Sequence, residues 1–477
     1  MADRIALLAC VFLVLLSAGA GVRAAIPLVE TIDMFGSGDT ADDTALWLHP
    51  TDPSKSIILG SNKTADPYGG IYGFALDGGR WDSTSSWGAS NWFDQSKRIN
   101  EVDLSYNFHT GTETWDIVAA ANRNDDRIDF FRVLTSPAGD FTGLAAVGNL
   151  STSVLGGDNP YGLTLFHSSS LDKHYALASS KNGMVAQWEL GYSAGVVTGN
   201  KVWEAQVSTT EVEGMVADDV NEVIYISGEN TSIYRYKTNG GVIQDAGRVT
   251  VDSVTGPHLT ADIEGLTLYY GSDGAGYLIA SSQGDGQFAL YDRQFTEGSP
   301  NNHIVNFQVN ENVGAGIDEV RSTDGIDVTN SNLGGQFSSG VFFVHDGYNT
   351  GHTISNIKLV SWADVADETT PNLIIDTTWN PRTVGQSPVP GDTNDDRIVN
   401  DLDYNNLVAQ FGGPPGAESA DFNDDNVVNL DDFAIQRGNF GFGVAPASAA
   451  AFGTSTPEPS TMTILAIGGL LALRRRR

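Results

Sequence analysis

Thiol is nearly absent from this chain. Of 477 residues only one is cysteine, Cys10, and it lies in an apolar stretch at the amino terminus. A chain without paired cysteines has no disulfide framework, no thiolate-held zinc and no iron–sulfur cluster. Positive charge is scarce as well: 26 Lys and Arg stand against 59 Asp and Glu, for a formal net charge of -33. That balance makes DNA, RNA and anionic membrane surfaces poor partners. Histidine numbers only eight residues. Of these only His345 falls beside a repeated pattern, and His167 and His174 read as structural or surface residues. What is plentiful is carboxylate and glycine, with 54 Gly, a composition suited to loops and to holding hard cations through oxygen.

The stretch that organises the chain is Thr260–Gln283. It reads as an acidic turn (Asp262, Glu264), a strand, a Gly/Asp turn and a second strand ending at Gln283. Apolar runs bounded by turn residues are the strand signature. The unit recurs at intervals of about 50–60 residues along the chain, and a repeat of several strands per unit is the mark of propeller blades. One series marks the start of each inner strand: Asp43, Asp103, Tyr161, Glu213, Glu264 and Asp324. A second marks the close of the next strand: Lys63, Arg123, Lys181, Glu229, Gln283 and Asp346. Six units predict an all-β, six-bladed β-propeller over residues 25–387. Equivalent blade positions meet around one channel, so both series converge on the same end of it.

The flanks have their own signatures. Met1–Ala24 reads as a secretory signal: Arg4 supplies the charge, Ile5–Ser17 the apolar stretch and Val22-Arg23-Ala24 the small-residue cleavage site. Residues 388–450 open with a Pro/Gly linker, Pro388-Val389-Pro390-Gly391. Two segments there place oxygen ligands at positions one, three, five, nine and twelve of an EF-hand-type loop. They are Asp392, Asn394, Asp396, Asn400 and Asp403, then Asp421, Asn423, Asp425, Asn429 and Asp432. A short helix is expected after each. The duplicated comb resembles a dockerin domain, which implies a small α-helical, calcium-binding module and a cohesin-like partner. Asp401-Leu402 and Leu430-Asp431 depart from the Ser/Thr pair of the best-known cohesin binders. Residues 451–477 carry Pro457-Glu458-Pro459, an apolar run Met462–Leu473 and four terminal arginines. They resemble the PEP-CTERM sorting signal, which implies secretion or envelope sorting in a Gram-negative bacterium. The run falls short of the ~20 residues that span a bilayer, so membrane contact is expected only through this transient segment.

The large domain carries a further resemblance. Asp42-Asp43-Thr44-Ala45-Leu46-Trp47, Ser61-Asn62-Lys63, Asn122-Arg123, Tyr161-Gly162, Glu213-Gly214-Met215, Asp262-Ile263-Glu264-Gly265, Ser281-Ser282-Gln283 and Asp324-Gly325-Ile326-Asp327 together are similar to a β-propeller phytase. The resemblance implies calcium-dependent removal of phosphate from phytate, myo-inositol hexakisphosphate, as a 3-phytase. It implies that Asp42, Asp43, Asp103, Glu213, Glu229, Asp262, Glu264, Gln283 and Asp327 bind or surround calcium ions. Asp324 and Asp346 are added to that set from the repeat. It also implies that Lys63, Arg123, Tyr161 and Lys181 hold phosphate. Thr44, Ser322 and Gly228 depart from the family pattern and imply one weakened calcium position.

The chemistry is coherent without the family. Phytate is a dense polyanion and so is the protein, so cations must intervene. Clustered carboxylates hold calcium, calcium and the basic residues hold phosphate, and metal-activated water attacks in line. Glu213 or Glu264 then accepts a proton, with Lys181 and Arg123 at the reacting phosphate. Two other readings stand beside this one: a calcium-dependent propeller lactonase or esterase, and a non-catalytic calcium-binding envelope protein. Three cations in the funnel favour phosphate over a lactone.

Overall fold

The computed structural model describes residues 23–441 except 85, 87, 89–91, 157–159, 352–353, 370, 386–389, 394–398, 417–418 and 424. The signal stretch 1–22, the sorting segment 451–477, Asn394 and Asp396 therefore lie outside the described residues. The chain separates into two compact units, Met1–Ser387 and Pro388–Arg477.

Six sheets make the first unit, four of them four-stranded and two five-stranded, and in each the strands run outward from an inner strand in sequence order, except that the amino-terminal segment supplies the outermost strand of the fifth and sixth. The inner strands are Ala41–Trp47, Ile99–His109, Leu163–Ser168, Met215–Asp218, Ile263–Tyr270 and Ile326–Thr329. This is the expected six-bladed propeller. The second strand of each blade is apolar almost without interruption, and Ile57–Asn62, Val223–Gly228 and Val341–Asp346 are buried along their whole length. Continuous apolar runs belong to strands covered on both faces, and each blade is sandwiched between two others. The apolar core is accordingly divided into layers between neighbouring blades. Each fully buried large side chain in those layers contributes roughly 1.5–3 kcal/mol.

Ring closure needs no covalent link. Pro27–Glu30 pairs antiparallel with Asn356–Ser361, placing Val29 opposite Leu359 and Glu30 opposite Lys358. The last blade is thus built from both ends of the unit. Arg23–Ala25 adds a parallel strand to the fifth blade, beside His303–Val309. The cleavage site expected after Ala24 falls inside that strand.

At the carboxyl ends of the inner strands the channel is shut. Trp379 stacks on Tyr270 with ring centroids 3.9 Å apart, and Arg382 pairs with Asp116 at 2.8 Å. A cavity of about 160 Å³ lies there, lined by Leu46, Tyr106, Leu165, Tyr270 and Pro381 among others. The amino ends of the inner strands are therefore the open mouth.

The second unit has two helices, Asp401–Gln410 and Leu430–Asn439. Each begins with a reciprocal capping box, Asn400 with Asp403 and Asn429 with Asp432, and satisfied amino-terminal N–H groups fix where a helix starts. Leu407, Ala420 and Val428 form its small core.

Candidate active site

Bulges decide which residues share a level at the mouth. The inner strands slip register between Ala41 and Thr44, between Ile99 and Val102, and between Ile263 and Leu266. Each bulge inserts an unpaired residue. Allowing for them, Thr44, Val102, Leu163, Met215, Leu266 and Ile326 occupy equivalent rungs, opposite Gly60, Ala120, Ala178, Ile226, Ala280 and Val344. The ring two residues upstream is then Asp42, Asn100, Tyr161, Glu213, Glu264 and Asp324. Asp43 and Asp103, placed in that ring by sequence spacing, belong to deeper levels.

Glycine sets the spacing of this ring. Gly162, Gly214, Gly265 and Gly325 each follow a rim residue. A Cβ on Gly162 would lie 2.2 Å from Glu213 O, one on Gly214 2.0 Å from Glu264 O, and one on Gly265 2.6 Å from Asp324 O. Only glycine admits this approach of one blade's backbone to the next. Backbone bonds cross there too, from Gly265 N to Asp324 O at 2.9 Å and from Gly325 N to Asp42 O at 2.8 Å. Successive rim side chains are drawn together as a result. Ser61, Ser179 and Ser281 add a second fastening, each donating its hydroxyl to a backbone carbonyl near the start of the neighbouring blade's inner strand.

The rim carboxylates form two contiguous groups. Asp42, Glu101 and Glu213 bring one ligand oxygen each within 4.8 Å of one another, and so do Glu213, Glu229 and Glu264. All five are buried. Both carboxylate oxygens of Asp42, Glu229 Oε1 and Glu264 Oε2 have no hydrogen-bond partner. Lys63 Nζ approaches Asp42 Oδ1 at 2.7 Å, as an ion pair without hydrogen-bond geometry. Burial first, and like charge second, pushes these acids up: Glu229 to about 8 through burial and then Glu213, Asp43 to about 7 through burial. Asp42, Glu101 and Glu264 rise well above the carboxylate range for the same first cause. Burial raises Glu213 as well, and its carboxyl lies against that of Glu264, as the Asp43 carboxyl lies against that of Glu101. Closely packed carboxyls cannot all ionise without a cation among them.

The basic residues stand on the same end. Lys63 Nζ meets Asp39 at 2.8 Å and Asp324 at 2.5 Å as well as Asp42. Although burial opposes its charge, Asp42, Asp324 and Asp39 raise its pKa. Arg123 and Lys181 both lie over the Tyr161 ring, at 5.1 Å and 4.2 Å from its centroid. Lys181 pairs with Glu211 at 2.8 Å, and Arg123 donates to Asn100 Oδ1 at 2.9 Å. Tyr161 in turn bonds Glu213. Gln283 donates to Asp324 at 2.6 Å, and the half-buried Asp262 adds its charge beside Glu229.

Three expected metal residues have backbone or lysine partners of their own, although Asp103 and Asp327 line one cavity with Asp43 and Glu101. Asp103 lies deeper in the channel and accepts Leu165 N at 2.7 Å and Thr164 Oγ1 at 3.0 Å. Asp327 is on the same level and accepts Leu46 N at 3.0 Å. Both pin one blade to the next. Asp346 is one residue out of register with Lys63, Arg123 and Lys181. Its carboxylate takes Lys358 Nζ at 2.6 Å and Arg321 N at 2.9 Å.

Spacing alone missed Asp39, Asn100, Glu101 and Glu211, while His345 stands out only as the histidine beside the repeat. Glu101 precedes Val102 as Asp43 precedes Thr44, a signal visible only once the bulge is known. Asp39, Asp324 and His345 are also compactly grouped, but His345 Nδ1 accepts the Asp324 N–H at 3.1 Å. That bond places the ring proton on Nε2, so His345 presents a donor to this group, 3.8 Å from Asp39, and not a ligand lone pair.

In the second unit Asp421, Asp425 and Asp432 gather within 4.8 Å. Asp432 and Asp403, the twelfth residues of the two loops, are buried and accept backbone N–H groups of their own loops, Phe422 N at 2.7 Å and Thr393 N at 2.9 Å. Asp392 is buried, while Asn423, Asn400 and Asn429 lie nearer solvent.

Comparison with known proteins completes the description. A family model described as Phytase matches residues 14–387, and one described as the PEP-CTERM protein-sorting motif matches residues 455–477. The 3-phytase of Bacillus subtilis (strain 168) is 36% identical over 347 residues, covering 71% of this chain and 83% of that protein. Among solved structures, the periplasmic gluconolactonase of Pseudomonas aeruginosa overlays with a TM-score of 0.36 at 11% identity, covering 53% of this chain and 67% of that one. An overlay that loose carries no argument.

Proposed function

The chain belongs to the phytase family, and on that premise we propose that its mouth holds calcium ions and grips phytate through them and the flanking basic residues. The reaction class follows from the family: the chain is a phosphomonoester hydrolase that releases phosphate from phytate, as a 3-phytase does. The observation that carries the metal reading is the set of buried rim oxygens on Asp42, Glu229 and Glu264 that lack hydrogen-bond partners, of which, among the described residues, only Asp42 Oδ1 meets a cation, Lys63. An isolated buried carboxylate costs several kcal/mol unless a cation or donors meet it. An all-oxygen, irregular donor set suits calcium.

Asp42, Glu101, Glu213, Glu229 and Glu264 would hold the ions, with Asp43, Asp262, Asp324 and Gln283 around them. Calcium bound there neutralises the carboxylates and polarises phosphoryl oxygens. Arg123 and Lys181, held side by side over Tyr161, make charge-assisted bonds to phosphate. Lys63 balances the rim through three carboxylates, of which Asp39 is the exposed one, and Asp39 is the partner a phosphate would displace. Glu213, which lies against both Tyr161 and Glu264, takes the proton of the attacking water. Water attacks phosphorus and the bond to the inositol oxygen breaks, that oxygen taking a proton from solvent to leave as the alcohol, with no serine, cysteine or histidine nucleophile.

The second unit is read as a calcium-binding module in which Asp392, Asn394, Asp396, Asn400, Asp403, Asp421, Asn423, Asp425, Asn429 and Asp432 supply ligands. No cohesin-like partner is part of this reading. The sorting motif marks an envelope-directed or extracellular protein of a Gram-negative bacterium, and a leader ending at Ala24 fits that route. The test is phosphate release from phytate with calcium and with chelator, joined to a rapid-quench search for phosphoenzyme. Calcium-dependent release without a covalent intermediate is expected. Full activity after exhaustive chelation would remove calcium from the reading, and a trapped phosphoenzyme would remove direct attack.

A further inference from the structure

Away from the mouth, one lysine ends in a cage of oxygens. Lys358 is fully buried. Its ammonium faces four oxygens: a carboxylate oxygen of Asp318, the Asp318 carbonyl at 3.0 Å, the Glu319 carbonyl at 3.3 Å and Asp346 Oδ2 at 2.6 Å. An ammonium has three protons to give, so the cage offers more acceptors than it can fully use. Two carboxylates and two carbonyls form the donor set of a hard divalent cation, and one positive charge leaves them short of balance by one. Both carboxylates are held in place independently of the lysine. Asp318 Oδ2 accepts Thr350 N at 2.5 Å and Asp346 Oδ1 accepts Arg321 N at 2.9 Å.

The position of the cage gives it a task. Asp318 and Glu319 belong to the link between the fifth and sixth blades. Asp346 ends the second strand of the sixth blade, and Lys358 lies in its third strand opposite Glu30 of the closing strand. One ammonium therefore ties the link to the blade, on the strand whose backbone pairs with the closing strand.

We propose that Lys358 is a tethered cation filling a divalent-ion cage at the ring closure, so that closure withstands chelation, and that removing the amine turns the cage into a calcium site. This holds whether or not the mouth binds calcium as read above. In Lys358→Ala, water fills the space left by the stem and completes a coordination shell. In Lys358→Met, the apolar stem blocks the cage.

The experiment measures bound calcium per chain after dialysis and hydrogen exchange of the segments 27–31 and 356–361, each with calcium and with chelator. Wild type is expected to keep these segments protected in chelator. Lys358→Ala should lose that protection by tenfold or more in chelator, regain it in calcium and bind one ion more than wild type. Lys358→Met should lose protection in both and gain no ion. Should the lysine variants fail to fold, Asp346→Asn keeps the question open to test, since it should lower protection in a way calcium does not restore. An unchanged ion count in a folded Lys358→Ala, or full protection in Asp346→Asn, would overturn the proposal.

Discussion

Two levels of the same channel are lined with buried carboxylates, and they behave differently. At the middle level Asp103 and Asp327 each accept a backbone N–H from a neighbouring blade, Leu165 and Leu46 respectively. Their pKa values rise through burial to about 6 and about 7, yet they bridge neighbouring strands of the ring. At the rim Asp42, Glu229 and Glu264 have the same burial but keep oxygens with no partner. Burial and a raised pKa are therefore common to both levels, and only the missing partners separate a site from a fastening. Perturbed titration is a pointer to function that structural acids share.

The largest expected effect breaks the rim alone. Glu213→Gln should lower kcat on phytate by about 100-fold or more, the scale of a lost general base, while the melting temperature in calcium stays close to wild type. Next come Lys181→Ala and Arg123→Ala, each expected to reduce kcat/KM by about 10–100-fold, the loss of one or two charge-assisted bonds, with calcium content by mass spectrometry unchanged. An emptied metal site in either variant would reassign that residue from phosphate to metal support. Asp103→Asn should invert the pattern. Denaturant unfolding should show a loss of roughly 1–3 kcal/mol for a disturbed buried acceptor, with kcat within a few-fold of wild type.

The pH response sharpens the contrast at smaller amplitude. Asp43 and Glu229, at about 7 and about 8 through burial, hold more protons folded than unfolded. In chelator the stability they supply is present at low pH and declines as pH rises toward about 8. Calcium, by favouring the ionised forms, should flatten that slope. Melting temperatures from pH 5 to 8.5 with and without calcium would check it, and parallel curves would exclude the rim acids as calcium ligands.

The propeller was legible in the sequence because blades repeat and their second strands are apolar runs. The mouth was legible because Tyr161-Gly162, Glu213-Gly214, Glu264-Gly265 and Asp324-Gly325 repeat a polar rim residue before a closely packed glycine. Bulges hid the rest, since an inserted residue changes the level without changing the pattern around it. Asp103 was drawn into the rim for that reason, and Glu101 was passed over. Asp346 fell one residue out of register, and its true partner Lys358 is in contact only after folding. The closing strand Pro27–Glu30 carries no blade signal of its own, since its pairing partner is at the other end of the unit.

The most direct test is a crystal structure of the protein grown with calcium and inorganic phosphate, with ions assigned by anomalous scattering. The expected result is calcium within 2.3–2.6 Å of oxygens of Asp42, Glu213, Glu229 and Glu264, with phosphate between those ions and Arg123 and Lys181. A rim without metal at saturating calcium, or calcium found instead on Asp103 and Asp327, would contradict it.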